Sequence, residues 1–111
     1  MDIKVEKKGE ITVLHCSGSL DAETVAVFRK KVGDLFDKGV YKYIVDASNL
    51  SFIDSMGLGA LISLLRRTRE KEGDVKTVSL SKDVRDIFNI TRLNKLFEIY
   101  GNVDEAMSKF R

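Results

Sequence analysis

The chain's 111 residues suit one domain built on one core. Hydrophobic residues make up 43% and charged residues 32%, which excludes a disordered chain, and a formal net charge of +2 is too small for a nucleic-acid footprint without a dense basic patch. A single cysteine excludes an intrachain disulfide, and no apolar run approaches the ~18 residues of a membrane span. With no signal-peptide pattern at the amino terminus, the expected location is cytoplasmic, with no membrane and no direct nucleic-acid partner.

In chain order, Ile3 and Val5 alternate with charged residues and predict a half-buried strand. Lys8-Gly9-Glu10 is a turn signal, and residues 11–16 read as the second strand of an antiparallel hairpin. Asp21 is the expected N-cap of a helix whose core face is Val25, Phe28, Val32, Leu35 and Phe36, ended by Gly39. Residues 43–47 form a short apolar run that suits a buried parallel strand. Residues 48–54 read as a loop. A helix follows over residues 55–71, with Leu58, Leu61, Ile62 and Leu65 as its buried stripe. Residues 75–80 predict another strand. Ser81 caps a short helix burying Val84, Ile87 and Phe88; residues 97–100 predict a last strand; Asn102 caps a terminal helix. The expected fold class is α/β: a single domain over residues 1–111, with a mixed, mostly parallel sheet, an N-terminal antiparallel hairpin and about four covering helices.

Chemistry concentrates between Asp46 and Gly59, where the chain leaves a buried strand and enters a helix. Sites in open α/β sheets gather outside the carboxyl ends of the strands, so Asp46 is expected near Asp54 and Ser55. Ser55 falls in the first turn of its helix, where unpartnered N–H groups and the helix dipole favour a phosphate. Gly57 and Gly59 would let a large partner approach the backbone. On the residues alone, a plain helix cap and close helix–sheet packing is the commoner reading, since short motifs recur by chance.

Resemblance changes that balance. Asp54-Ser55-Met56-Gly57-Leu58-Gly59, preceded by Phe52-Ile53, resembles the signature of anti-anti-sigma factors, which are STAS-domain proteins. Gly18-Ser19-Leu20-Asp21, Tyr43-Ile44-Val45-Asp46, and Thr91-Arg92-Leu93-Asn94-Lys95-Leu96-Phe97 with Ile99-Tyr100 resemble other family segments, so the likeness spans nearly the whole chain. The resemblance implies an anti-sigma factor antagonist. Its unphosphorylated form binds an anti-sigma factor with serine kinase activity and so frees a sigma factor. Phosphorylation breaks the complex, and a metal-dependent serine phosphatase restores it. Carried onto this chain, Ser55 is the phosphoacceptor, Asp54 adjoins it, and Asp21 lies on the partner-facing edge. Met56 stands where the family has a second Ser or Thr, which leaves Ser55 as the only hydroxyl of the signature and bears on kinase recognition. Asp46, Gly57 and Gly59 complete the expected partner-binding and phosphosite support.

No catalytic residue, metal ligand or cofactor is expected. Nucleophilic use of Ser55 would need a base, and the one histidine, His15, lies on an early strand. No phosphate-binding Gly-rich loop supports nucleotide binding. A scaffold or sensor module of a stress-signalling assembly, without phospho-switching, is the alternative. His15 and Cys16 point to opposite faces of their strand, which makes them a surface imidazole and a core thiol. Arg66, Arg67, Arg69 and Lys71 read as a solvated helix end, with an acidic partner surface as the lesser reading. Phe52 is assigned either to the core or to the partner interface.

Overall fold

The expected hairpin forms from β1 (Asp2–Lys8) and β2 (Ile11–Leu20), turned at Gly9, whose φ of +64° suits glycine. This computed structural model describes residues 1–110; Arg111, the last residue of the expected domain, lies outside the described residues. Strands β3 (Lys42–Ile53), β4 (Asp74–Val78) and β5 (Ile99–Tyr100) add successively in parallel, giving the spatial order β1-β2-β3-β4-β5. The crossovers are α1 (Val25–Asp37), α2 (Ser55–Arg69) and α3 (Lys82–Ile90), and α4 (Val103–Met107) closes the described chain.

Crossovers that keep one hand and step in one direction place their helices on one face of the sheet. The main core lies on that face: Leu14, Cys16, Tyr43, Val45 and Val75 from the strands meet Phe28, Leu61, Leu64, Val84 and Phe88 from the helices. A smaller cluster on the opposite face joins Ile11, Val13, Ile44 and Val78 to Ala106 of α4. Lys76 shares this second face, only 3% exposed, with its ammonium 3.0 Å from Asp74, 3.2 Å from Glu98 and 4.6 Å from the centre of the Phe110 ring. The side chains of His15 and Asp46, beyond the reach of α4, remain part-exposed.

The mixed sheet and the four helices match the sequence reading; several boundaries do not. The expected loop at 48–54 is strand up to Ile53, and β2 likewise runs past residue 16 to Leu20. Two register shifts, between His15 and Ser17 and between Gly18 and Ser19, make β3 spend more residues than β2 over this stretch. Its buried side chains, Ala47, Leu50 and Ile53, therefore fall three residues apart, and the two-residue strand period is hidden. The buried stripe of α2 is Ala60, Leu61, Leu64, Leu65 and Thr68, with Leu58 and Ile62 only half-buried, and the helix stops at Arg69 rather than Lys71. Helix α1 begins at Val25, one turn after Asp21. Strand β4 is Asp74–Val78 rather than 75–80, and β5 is reduced to two residues. The caps at Ser81 and Asn102 form as expected, each accepting from a backbone N–H one turn on, Val84 and Glu105 respectively.

Candidate functional site

The long pair β2–β3 ends with Leu20 opposite Ile53, which sets the entries of α1 and α2 side by side. Asp54 joins them. Its own N–H donates to the Leu20 carbonyl at 3.1 Å. Its Oδ1 accepts from the Gly57 N–H at 3.0 Å, capping α2, and its Oδ2 accepts from the Ala22 N–H at 3.0 Å, holding the loop before α1. Both carboxylate oxygens are thus committed to the scaffold. Asp54 is the N-cap, and it leaves the next residue, Ser55, exposed with no side-chain hydrogen bond among the described residues.

Asp21 is bound inward in the same manner. Its carboxylate accepts from the Glu23 N–H (3.0 Å), the Thr24 N–H (3.2 Å) and the Ser19 hydroxyl (3.0 Å). The Ser19 hydroxyl foremost, with the two amides, holds this carboxyl below its usual range. Asp21 therefore caps the turn that precedes α1, while Thr24 occupies the helix N-cap position itself. Two large apolar side chains close to Ser55 in the chain, Phe52 and Met56, are each 47% exposed.

The two glycines of the motif divide. A Cβ on Gly57 would lie 2.4 Å from the Leu20 carbonyl oxygen and 2.8 Å from side-chain carbons of Leu20 and Ile53, so Gly57 serves helix–sheet packing and not a partner's approach. Gly59 is exposed and has nothing within 4 Å of an added Cβ, which leaves its backbone open to a partner.

Asp46 does not join the site. It sits level with His15 on β2, five residues before Leu20, which at ~3.3 Å per residue is about 17 Å down the sheet. The continuation of β3 past Asp46 is what carries Asp54 and Ser55 away from it. Asp46 instead accepts from the Ser48 N–H at 3.0 Å and pairs with His15 Nδ1 at 2.7 Å. His15 Nε2 meets Glu6 at 2.8 Å. With a carboxylate at each nitrogen, the ring is held as a donor on both sides, and its pKa is raised, by the Glu6 hydrogen bond first and the Asp46 bond second. The sequence reading placed His15 at the surface, where it is part-exposed, without its carboxylate partners. The signal was present in the hairpin, because alternation puts Glu6 and His15 on one face of the sheet.

Cys16, 3% exposed, is the expected core thiol, its pKa pushed up to about 12 by burial. Among the described residues no group of His, Cys, Asp and Glu side chains is arranged to hold a metal ion, and no helix is long and apolar enough to cross a membrane.

Comparison with known proteins gives the family to which a sheet of this order belongs. The chain belongs to the STAS domain family, whose model matches residues 2–106. A crystal structure from Thermotoga maritima shares 26% identity over 98% of this chain and 94% of that chain, with a TM-score of 0.93. A crystal structure of an anti-sigma factor antagonist from Mycobacterium paratuberculosis shares 26% identity over 99% and 93% of the two chains, with a TM-score of 0.82. The anti-sigma-B factor antagonist of Bacillus subtilis (strain 168) is 27% identical over 99 residues, which is 89% of this chain and 88% of that protein.

Proposed function

We propose that this protein is an anti-sigma factor antagonist controlled at Ser55. In this reading its unphosphorylated form binds an anti-sigma factor that is also a serine kinase, and so frees a sigma factor in the cytoplasm. Phosphorylation of Ser55 breaks the complex, and a metal-dependent serine phosphatase restores it. The names of the relatives support the antagonist part. The observation that carries the switch is the exposed, unbonded Ser55 hydroxyl at a helix start whose cap is supplied entirely by Asp54. A phosphate added there displaces no structural hydrogen bond. The exposed Phe52 and Met56 beside it supply the apolar centre that a protein interface needs. The same geometry supports binding over a serine-nucleophile reading, since His15, the one histidine, is engaged by two carboxylates far down the sheet.

Incubation with each serine kinase anti-sigma factor of the same organism and ATP, followed by phosphopeptide mapping, is the test. Phosphate on Ser55 and its loss in Ser55→Ala are expected. Incorporation mainly at Ser17, Ser48, Ser51 or Thr24 would refute the assignment, and no incorporation at all would favour the scaffold reading.

A further inference from the structure

The four basic residues at the end of α2 have different surroundings. Arg69 donates to Asp74 and to the Leu96 carbonyl, each at 3.3 Å. Lys71 lies beyond the helix on the rim of a cleft shared with Lys7 and Lys38. Arg66 is exposed. Arg67 lies over the Phe36 ring, 4.3 Å from its centre, and Phe36 is in turn set edge-on against Tyr41 with ring centres 4.9 Å apart. Among the described residues the Arg67 guanidinium has no ion-pair partner. With Arg29 of α1 it flanks a hollow between α1 and α2 whose remaining lining is Val32, Ala60, Ser63 and Leu64. Two arginines and a serine thus share the lining with apolar residues, and no carboxylate lines the space.

We infer that this hollow receives one carboxylate side chain of the anti-sigma factor, so that the docking surface runs from Ser55 along the groove between α1 and α2. The inference rests on the antagonist reading. Size points to a side chain: the hollow is about 180 Å³, below the ~300–1,000 Å³ of small-molecule sites. Position agrees. At ~1.5 Å per residue, Ala60 lies about 8 Å and Ser63 about 12 Å along α2 from Ser55. A standard interface of ~800 Å² per partner is a disc of roughly 16 Å radius, so one centred on Ser55 reaches past Ser63, with the Arg67 backbone, about 18 Å along, at its rim. Chemistry agrees too. A guanidinium already stacked on a ring loses little freedom on pairing, and its planar fork fits a carboxylate bidentately. The Ser55 end carries Asp21, Glu23 and Asp54 and the far end carries arginines, so the surface has opposite charge at its two ends and orients whatever docks on it.

The test uses the Ser55→Ala protein and each serine kinase anti-sigma factor of the organism, purified singly, with affinity read by calorimetry. Against the one that binds, Arg67→Ala should weaken binding about ten- to a hundredfold, with Arg67→Lys in between. Ser63→Glu, four residues before Arg67, supplies the carboxylate within the chain and should weaken binding at least as much. Arg66→Ala, outside the hollow, should change it less than about threefold. A partner Asp or Glu changed to Lys that restores binding to Arg67→Glu would identify the carboxylate. If Arg67→Ala and Ser63→Glu both bind within about threefold of the parent while Ser55→Asp still fails to bind, the hollow is no contact and the antagonist reading stands. If no anti-sigma factor binds the Ser55→Ala form, both readings fall.

Discussion

Replacing Gly57 with alanine sets two effects of known sign against each other. Alanine is worth ~0.8–1 kcal/mol over glycine in a helix interior. Its Cβ at residue 57 would meet the Leu20 carbonyl oxygen at 2.4 Å and carbons of Leu20 and Ile53 at 2.8 Å. Leu20 and Ile53 are each 1% exposed, and the carbonyl already accepts from Asp54, so none of the three has room to retreat. Relief requires α2 to lift by the better part of an ångström, which strains the Asp54 cap. Overpacking of this kind costs ~1–3 kcal/mol, and backbone on one side puts the cost at the upper end. The net expectation is a loss of about 2 kcal/mol, or roughly 8 °C in melting temperature for a domain of this size. Gly59→Ala is the internal control. It is in the same helix with nothing within 4 Å, so it should raise the melting temperature by roughly 2–4 °C. Calorimetric melting of the two variants beside the parent measures both. A Gly57→Ala protein that melts at or above the parent temperature would refute the packing role.

Phosphorylation of Ser55, or Ser55→Asp, should leave the melting temperature within a few degrees, because helix-dipole attraction of ~0.3–1 kcal/mol opposes repulsion from Asp54 and Asp21. Partner affinity should instead fall a hundredfold to a few thousandfold, since a buried, unpaired charge costs ~3–5 kcal/mol; calorimetry of the complex measures it, and binding at parent affinity would exclude the switch. The raised pKa of His15 means that its charged ring stabilises the fold fully below about pH 6.5 and that this stability is lost as pH rises through the folded value; His15→Gln should flatten the alkaline side of the stability–pH curve in urea titrations. Asp54→Ala removes the acceptor of two backbone hydrogen bonds and should cost about 1–2 kcal/mol in the same titrations. Lys76→Met should be tolerated within about 1 kcal/mol, because Asp74 retains Arg69 and Glu98 reaches water; an unfolded variant would show that the buried ammonium is indispensable.

The order of elements was readable because each turn of the chain carries its own chemistry: glycine at 9 and 39, Ser81 and Asn102 at helix starts, and apolar periods matching strand or helix between them. The start of α2 at Ser55 was readable for the same reason. Elsewhere long-range geometry overrode the local pattern. The shifts in β2–β3 pairing disguised residues 48–53 as loop, and that single error also misplaced Asp46, which the strand carries well away from Ser55. Gly57 and Gly59 are equivalent in sequence and opposite in surroundings, because only the approach of Leu20 and Ile53 distinguishes them. Arg67 gave no sign of its difference from Arg66, since its stacking on Phe36 depends on how α1 lies beside α2.

The far end of β3 has a mechanical consequence. Beyond Asp46 the strand has lost β4, whose pairing ends at Val78, and it is tied on one edge only, to residues 17–20 of β2. On the free edge the Ser81 hydroxyl takes the place of the missing strand, donating to the Leu50 carbonyl at 3.3 Å. Opening free energies fall where backbone bonds are fewest. Amide hydrogens of residues 47–53 should accordingly exchange with solvent well before those of residues 43–45, which have strands on both sides. The helix start that bears Ser55 is thus mounted on the part of β3 that has a neighbouring strand on one side only, and this part should open while residues 43–45 keep both neighbours.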